Sequence, residues 1–196
     1  MNQTTKTKRR RELRINTEMR EFNSLKRPIL TTTRFNDFTW NENVRYRETH
    51  PVIGCIYPTP EMNNHKLNKD DVIFVLEMNN EQNRIMGVGM IRNKVFIKRY
   101  QVYSDDNYNR YAYIGKRRID RSEMSKEEEN IMRTFDILCF TGNRHMKRLQ
   151  GIKAFPIDML FKCRKIVDLV DYIRKMFLGR GNVVPPTTPS LVKSTH

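Results

Sequence analysis

Val72-Ile73-Phe74-Val75-Leu76-Glu77-Met78 is followed by Asn79-Asn80-Glu81-Gln82-Asn83 and then by Arg84-Ile85-Met86-Gly87-Val88-Gly89-Met90-Ile91-Arg92. The first run is rich in β-branched side chains, which suit a pleated, packed surface, and it is too short for a helix. The polar pentapeptide has the length and composition of a hairpin loop, and the apolar pattern resumes directly after it. These residues predict two antiparallel strands, and the rest of the chain is read outward from them.

Upstream, Val52-Ile53-Gly54-Cys55-Ile56-Tyr57 predicts a strand that Pro58-Thr59-Pro60 ends. Downstream, Arg92-Asn93-Lys94 turns into Val95 to Tyr103, whose approximate alternation predicts a strand with one wet face, and Tyr111 to Ile114 is a fifth strand. The pattern then becomes helical. Ser125 and Glu128 have capping-box spacing, and Ile131, Met132, Phe135, Leu138 and Cys139 form one apolar face beyond them. A second helix is expected from Ile157 to Leu178, buried through residues such as Leu160, Phe161, Ile166, Val170, Ile173 and Phe177. Gly179 and Gly181 offer its end, with Arg174, Lys175 and Arg180 placed to complement the C-terminal dipole.

The expected fold is α+β: a small antiparallel barrel-like sheet followed by two packed helices. Residues 1–50 are expected to be a basic arm with an aromatic-containing loop, 51–181 a single core domain and 182–196 an extended arm, since Val183-Val184-Pro185-Pro186 cannot continue a helix. Leu13, Met19, Phe22 and Leu25 fall near helical spacing, so a short amphipathic helix could form in the first arm on a partner. Residues 1–27 and 183–196 are expected to be deletable together with almost no change in melting temperature.

Charge points to the partner. The chain has 196 residues, 37 Lys and Arg against 22 Asp and Glu, and a net charge of +15. Nine of the cations, against three acids, fall in the first thirty positions. A field of that sign draws a protein to polyanions, so nucleic acid, or an assembly around it, is the first partner expected. No apolar run is long enough for a bilayer span and the first thirty residues lack a secretory leader pattern, so a soluble, non-secreted protein is expected. Cys55, Cys139 and Cys163 stand far apart and odd in number, the pattern of free thiols.

The motifs for catalysis are incomplete. Gly87-Val88-Gly89 has no third glycine and no Gly-Lys-Ser/Thr, and a strand passing close to another backbone, or turning a barrel corner, needs the same glycines. Cys139, His145 and Cys163 lack the paired spacing of a zinc site, and the serines and histidines form no nucleophile-base pattern. Asp70-Asp71 and Asp105-Asp106 are turn residues. The expectation is a non-enzymatic protein with no metal, cofactor or small-molecule substrate.

Binding residues are easier to nominate. Tyr100 to Tyr113 holds five tyrosines and Arg110, offering faces on which unpaired bases can stack; Tyr108, Arg110 and Tyr111 are the candidates nearest the turn. The same spacing also fits a hairpin whose tyrosines pack across strands. Phe35, Phe38 and Trp40 could form a base cage, or could staple their loop to the domain. Lys8, Arg9, Arg10, Arg11, Arg144, Lys147, Arg148, Arg164 and Lys165 are the candidate phosphate contacts.

Lys69 to Val75 together with Ile85 to Ile91 resembles the hairpin of PUA-like barrels, the superfamily that includes EVE and YTH modules. The resemblance implies a small pseudo-barrel with flanking helices that binds RNA or modified bases without catalysis, and it covers about a quarter of the chain. Phe74-Val75-Leu76-Glu77-Met78-Asn79-Asn80, Tyr108-Asn109-Arg110-Tyr111 and His145-Met146-Lys147-Arg148 are similar to an uncharacterised family from large DNA viruses of algae and protists. That likeness implies a viral protein acting in the cytoplasm or nucleus of an infected cell, or in the virion. Two functions follow as expectations: a nucleic-acid-binding protein, or a structural protein of a large particle, such as a minor capsid protein, whose arms lock into capsid or other virion neighbours.

Overall fold

The computed structural model of the protein describes residues 3–24, 28–62, 71–148 and 150–180. The hairpin stands at the centre. β3 (Val72–Asn79) and β4 (Arg84–Arg92) pair antiparallel, and Asn83 takes a left-handed backbone (φ 51°) in the turn, a conformation that asparagine tolerates. Around them lies a mixed sheet in the order β7-β4-β3-β1-β8, where β1 is Ile29–Phe35, β7 Arg117–Asp120 and β8 Lys153–Ala154. β1 runs parallel to β3, and every other pairing in the sheet is antiparallel.

A second sheet, β2-β6-β5, is built from Cys55–Thr59, Tyr111–Gly115 and Val95–Ile97. Together with α2 (Asp37–Thr49) it covers one face of the large sheet, where Ile73, Val75 and Ile91 meet Ile56, Tyr57, Tyr113 and Trp40. The opposite face carries the helices. Leu30, Phe74, Leu76 and Val88 pack there against α1 (Gln3–Ser24), α3 (Lys126–Phe140), α4 (Ile157–Cys163) and α5 (Leu169–Gly179), with Phe74 and Phe177 stacked at 5.3 Å. The architecture is α+β, with five helices and two sheets, and no closed barrel is present among the described residues.

Several elements depart from the sequence expectation, each for a local reason. Residues 29–49, expected within a basic arm, supply β1 and α2, and β1 lies inside the sheet between β3 and β8. Its Thr31-Thr32-Thr33 core is polar in composition but β-branched, and Thr31 is fully buried with its hydroxyl donating to the Phe74 carbonyl at 2.9 Å. The strand expected from Val95 to Tyr103 stops at Ile97, because Lys98 adopts a left-handed backbone (φ 46°). β2 runs through Pro58 instead of ending there.

The single helix expected from Ile157 to Leu178 is two. Asp168 caps the second by accepting from the Val170 and Asp171 amides, and Ile166, expected on the buried side, is 94% exposed in the break. The capping box is present as expected, with Ser125 accepting from the Glu128 amide at 3.3 Å and donating its own amide to Glu128 at 2.9 Å. Leu25 and the arm at 182–196 lie outside the described residues.

The first helix also corrects the expected boundary of the core. Its C-terminal turn is anchored, since Phe22 is 2% exposed, meets the Phe161 ring edge-on at 5.7 Å and belongs to the helix-side core. Removing 1–27 therefore opens a core cavity. Phe22→Ala alone is expected to cost about 3 kcal/mol, roughly 6 to 12 °C in melting temperature for a domain of this size, measured by thermal unfolding.

A buried arginine ties the sheet to α3. Arg121 donates to Glu129 and Asp136 on the helix and to the Ile85 carbonyl on β4. Hydrogen bonds from Arg121, opposed by partial burial, hold the Glu129 carboxyl at about 2 against an ordinary 4.5. The charged form is the one favoured by folding, so its contribution is complete above about 4.5 and is lost as pH falls towards 2. The stability gap between the protein and Glu129→Gln, followed by urea unfolding, is expected to be constant at neutral pH and to close across that window.

Candidate anion-binding cleft

Glu77 is fully buried on the face of the large sheet that meets the second sheet. A buried carboxylate is tolerated when it is paired and hydrogen-bonded, and two strands supply the partners. From β7, Arg118 Nε donates to Glu77 Oε1 and Oε2 at 3.0 and 2.9 Å. Its Nη2 lies 2.7 Å from Oε2, a close charge contact with too bent an angle for a hydrogen bond. From β2, the Tyr57 hydroxyl donates to Oε1 at 2.8 Å. Burial, reinforced by Cys55 and Glu77, pushes the Tyr57 phenol well above its ordinary pKa and keeps it a donor. Burial opposes the charge of Arg118, but Glu77 and Asp120 outweigh it and its pKa is raised.

Arg118 reaches Glu77 by crossing β4, which lies between β7 and β3, and Tyr57 comes from the second sheet over the same strand. Gly87 and Gly89 make the crossing possible. A Cβ at Gly87 would stand 2.7 Å from Arg118 Nη2 and 2.8 Å from Glu77 Oε2, and one at Gly89 would stand 1.8 Å from the Tyr57 hydroxyl oxygen. The register shift between Leu76 and Met78 places a bulge in β4 opposite Glu77, where one extra β4 residue bends that strand. The glycine pair thus makes room for side chains, and at Gly87 also for the close backbone expected from the sequence, since a Cβ there would stand 2.8 Å from the Ile119 carbonyl oxygen.

Outside this network opens a cleft of about 530 Å³, walled by Arg47 of α2, Gly54, Lys116 to Asp120, Glu123, Phe177 and Arg180. Five cations face two acids. Arg47 and Arg118 lie over the Trp40 ring, with guanidinium carbons 5.7 and 5.5 Å from its centroid. Arg47 also donates Nε to Asn43 at 3.0 Å, and burial, then the nearby Arg118, lowers its pKa. Arg117 lies over Phe177 at 5.5 Å and donates to the Phe177 carbonyl. Asp120 accepts from Arg118 at 2.7 Å; burial resists its charge, but hydrogen bonds from Ser122 and Arg118 bring its carboxyl below the ordinary range. This arrangement can attract and orient an anion.

The nominated residues have diverse placements. Lys8, Arg9, Arg10 and Arg11 are exposed on α1, every residue of which from 7 to 17 is exposed. Arg144 is held by Asp158 through bonds of 2.6 and 3.0 Å, so its charge is already matched. Lys147 is half-buried and its carbonyl accepts from Arg34 and Asn80, while Arg148 and Lys165 are exposed. Arg164 lies over the Phe161 and Phe22 rings, 4.8 and 5.1 Å from their centroids.

Of the aromatic candidates, Arg110 is exposed and donates to Asn107, Tyr111 is half-buried in β6, and Tyr108 is half-buried with its ring edge-on to Tyr103 at 6.2 Å. Phe35 and Trp40 are 3% and 8% exposed and pack edge-on at 5.2 Å in the core, whereas Phe38 is 63% exposed. Phe35 and Trp40 therefore staple α2 to the sheet, and with Phe38 turned to solvent the three do not form an open cage. Cys55 and Cys139 are buried free thiols, each pushed up to about 12 by burial, and Cys163 is a partly buried one.

Sequence reasoning passed over Lys116-Arg117-Arg118. Its signal was three consecutive cations directly after a strand candidate, ahead of the apolar Ile119. No known family model matches this chain, and no curated protein matches it.

The crossing over β4 gives a direct test. Gly89→Ala is expected to destabilise the protein by about 1 to 3 kcal/mol through overpacking against Tyr57. In a Tyr57→Phe background that cost is expected to shrink by about 1 kcal/mol or more, because the nearest clashing atom is gone. Urea unfolding of the four proteins of this cycle measures the coupling, and additive effects would place the glycine's role elsewhere.

Proposed function

We propose that this is a non-enzymatic nucleic-acid-binding protein whose first phosphate contacts come from α1. The observation that carries the reading is the state of that helix. Its 22 residues extend roughly 33 Å, yet of its described side chains Phe22 alone is buried and Met19 packs partly beside it. Lys8, Arg9, Arg10, Arg11 and Arg14 stand exposed on the rest, with Arg14 paired to Glu18. A helical stretch that buries nothing from 7 to 17 lacks a folding reason of its own there, and a cationic one is suited to a polyanion. Tyr108, Arg110 and Tyr111 are the candidates for base stacking on unpaired strands.

The likeness of the β3–β4 hairpin to PUA-like modules, and of three short segments to proteins of large DNA viruses, supports the same partner class and a role in an infected cell. The second reading, a structural component of a virus particle, draws on Leu13 and Ile15, which are 59% and 40% exposed on α1 and offer apolar contacts to a protein neighbour. No helix among the described residues is long and apolar enough to cross a membrane.

Oligonucleotide affinity is expected to fall steeply with salt, since each neutralised phosphate releases counterions. Alanine at Lys8, Arg9, Arg10 and Arg11 together should reduce the slope of log K against log salt by about 0.9 for each B-DNA phosphate contact removed. Arg144→Ala should change it less, because Asp158 already matches that charge. Fluorescence anisotropy across a salt series measures both, and affinity that stays flat with salt overturns the reading.

A further inference from the structure

The cleft beside β7 has more positive charge than its own acids dispose of. Arg118 is matched by Glu77 and Asp120, and Arg180 by a two-pronged contact with Glu128 and a bond to the Met176 carbonyl. Arg47, Lys116 and Arg117 are left. Arg47 has Asn43 and the Trp40 face, Arg117 has the Phe177 ring and carbonyl, and Lys116 is exposed; none of the three has an ion-pair partner among the described residues. Against them stand Glu123 and the second carboxylate that Arg118 holds, so the cleft carries a surplus of about one positive charge.

Three cationic donors without a carboxylate partner among the described residues, Arg47, Lys116 and Arg117, suit one chemical group. A phosphate monoester carries about −1.5 to −2 at neutral pH and presents three acceptor oxygens. Planar guanidinium groups already fixed by aromatic faces lose little freedom on binding it. The cleft volume of about 530 Å³ is ample for a phosphate with a nucleoside attached. A lipid tail finds no surface here, because Ile119 and Phe177 are 1% and 3% exposed.

We propose that the cleft formed by Arg47, Lys116 and Arg117 is a binding site for a phosphate monoester, presented by the end of a nucleic-acid strand or by a free nucleotide. The strand-end form rests on the nucleic-acid reading above and names the group recognised. The free-nucleotide form stands without α1.

The test uses the full chain and two probes. Labelled oligonucleotides with a terminal phosphate or a terminal hydroxyl, at either end, are compared by anisotropy at fixed salt. A nucleoside monophosphate is compared with its nucleoside by thermal shift. The phosphorylated strand is expected to bind about tenfold tighter, as new charge-assisted hydrogen bonds allow. Lys116→Ala and Arg47→Gln should bring that ratio close to one. Lys116 is exposed, so its variant reports on binding even if Arg47→Gln unfolds.

A monophosphate that raises the melting temperature of the protein but not of Lys116→Ala, with no preference between strands, assigns the site to free nucleotides. If oligonucleotides fail to bind while that shift persists, the α1 reading fails and the cleft stands. Equal response to phosphorylated and unphosphorylated forms of both probes overturns the proposal.

Discussion

Glu77 holds a carboxylate in the middle of the molecule, fully buried, and much of the central architecture follows from the need to compensate it. A buried unpaired charge is severely destabilising, so donors must reach it from other strands. Arg118 comes from β7 and Tyr57 from β2, both across the face of β4. That path requires residues without side chains at 87 and 89, and β4 carries a bulge opposite the carboxylate. The same contact joins both sheets, because Tyr57 belongs to the small one and Glu77 and Arg118 to the large one.

The two faces of the large sheet are stabilised differently. The helix side is a mostly apolar core closed by aromatic pairs such as Phe74 with Phe177 and Phe135 with Phe155. The other side combines apolar packing with buried polar groups: Asn43 donates to the Ile56 carbonyl at 2.8 Å, and Asn109 bonds the backbone of Val102 and Tyr103. Directional groups of this kind fix irregular segments that apolar burial alone leaves undetermined. This explains how the stretch after β5 is held with little regular structure.

Two populations stand out among the cations behind the net charge of +15. Arg118, Arg121, Arg144 and Arg180 are structural: each is matched by carboxylates that fasten one element to another. The cations of α1 and those around Arg47, Lys116 and Arg117 remain for a partner. A count of cations therefore overstates the binding surface, and their pairing decides which ones are available.

The sequence by itself determined the β3–β4 hairpin, β6, the capping box at Ser125 and the apolar face of α3, because each is written in local periodicity or cap chemistry within about a dozen residues. It also determined the sign of the field and the exposure of Lys8 to Arg11. Tertiary structure decided the rest. Thr31-Thr32-Thr33 became an internal strand because neighbours on both sides satisfy its backbone, and Trp40 became a core residue because α2 lays it against Phe35. Gly87 and Gly89 acquired their meaning from Arg118 and Tyr57, respectively 31 and 32 positions away along the chain. The cleft unites Arg47, Lys116 and Arg180 from separate elements, and no local pattern records which charges the folded chain leaves unpaired.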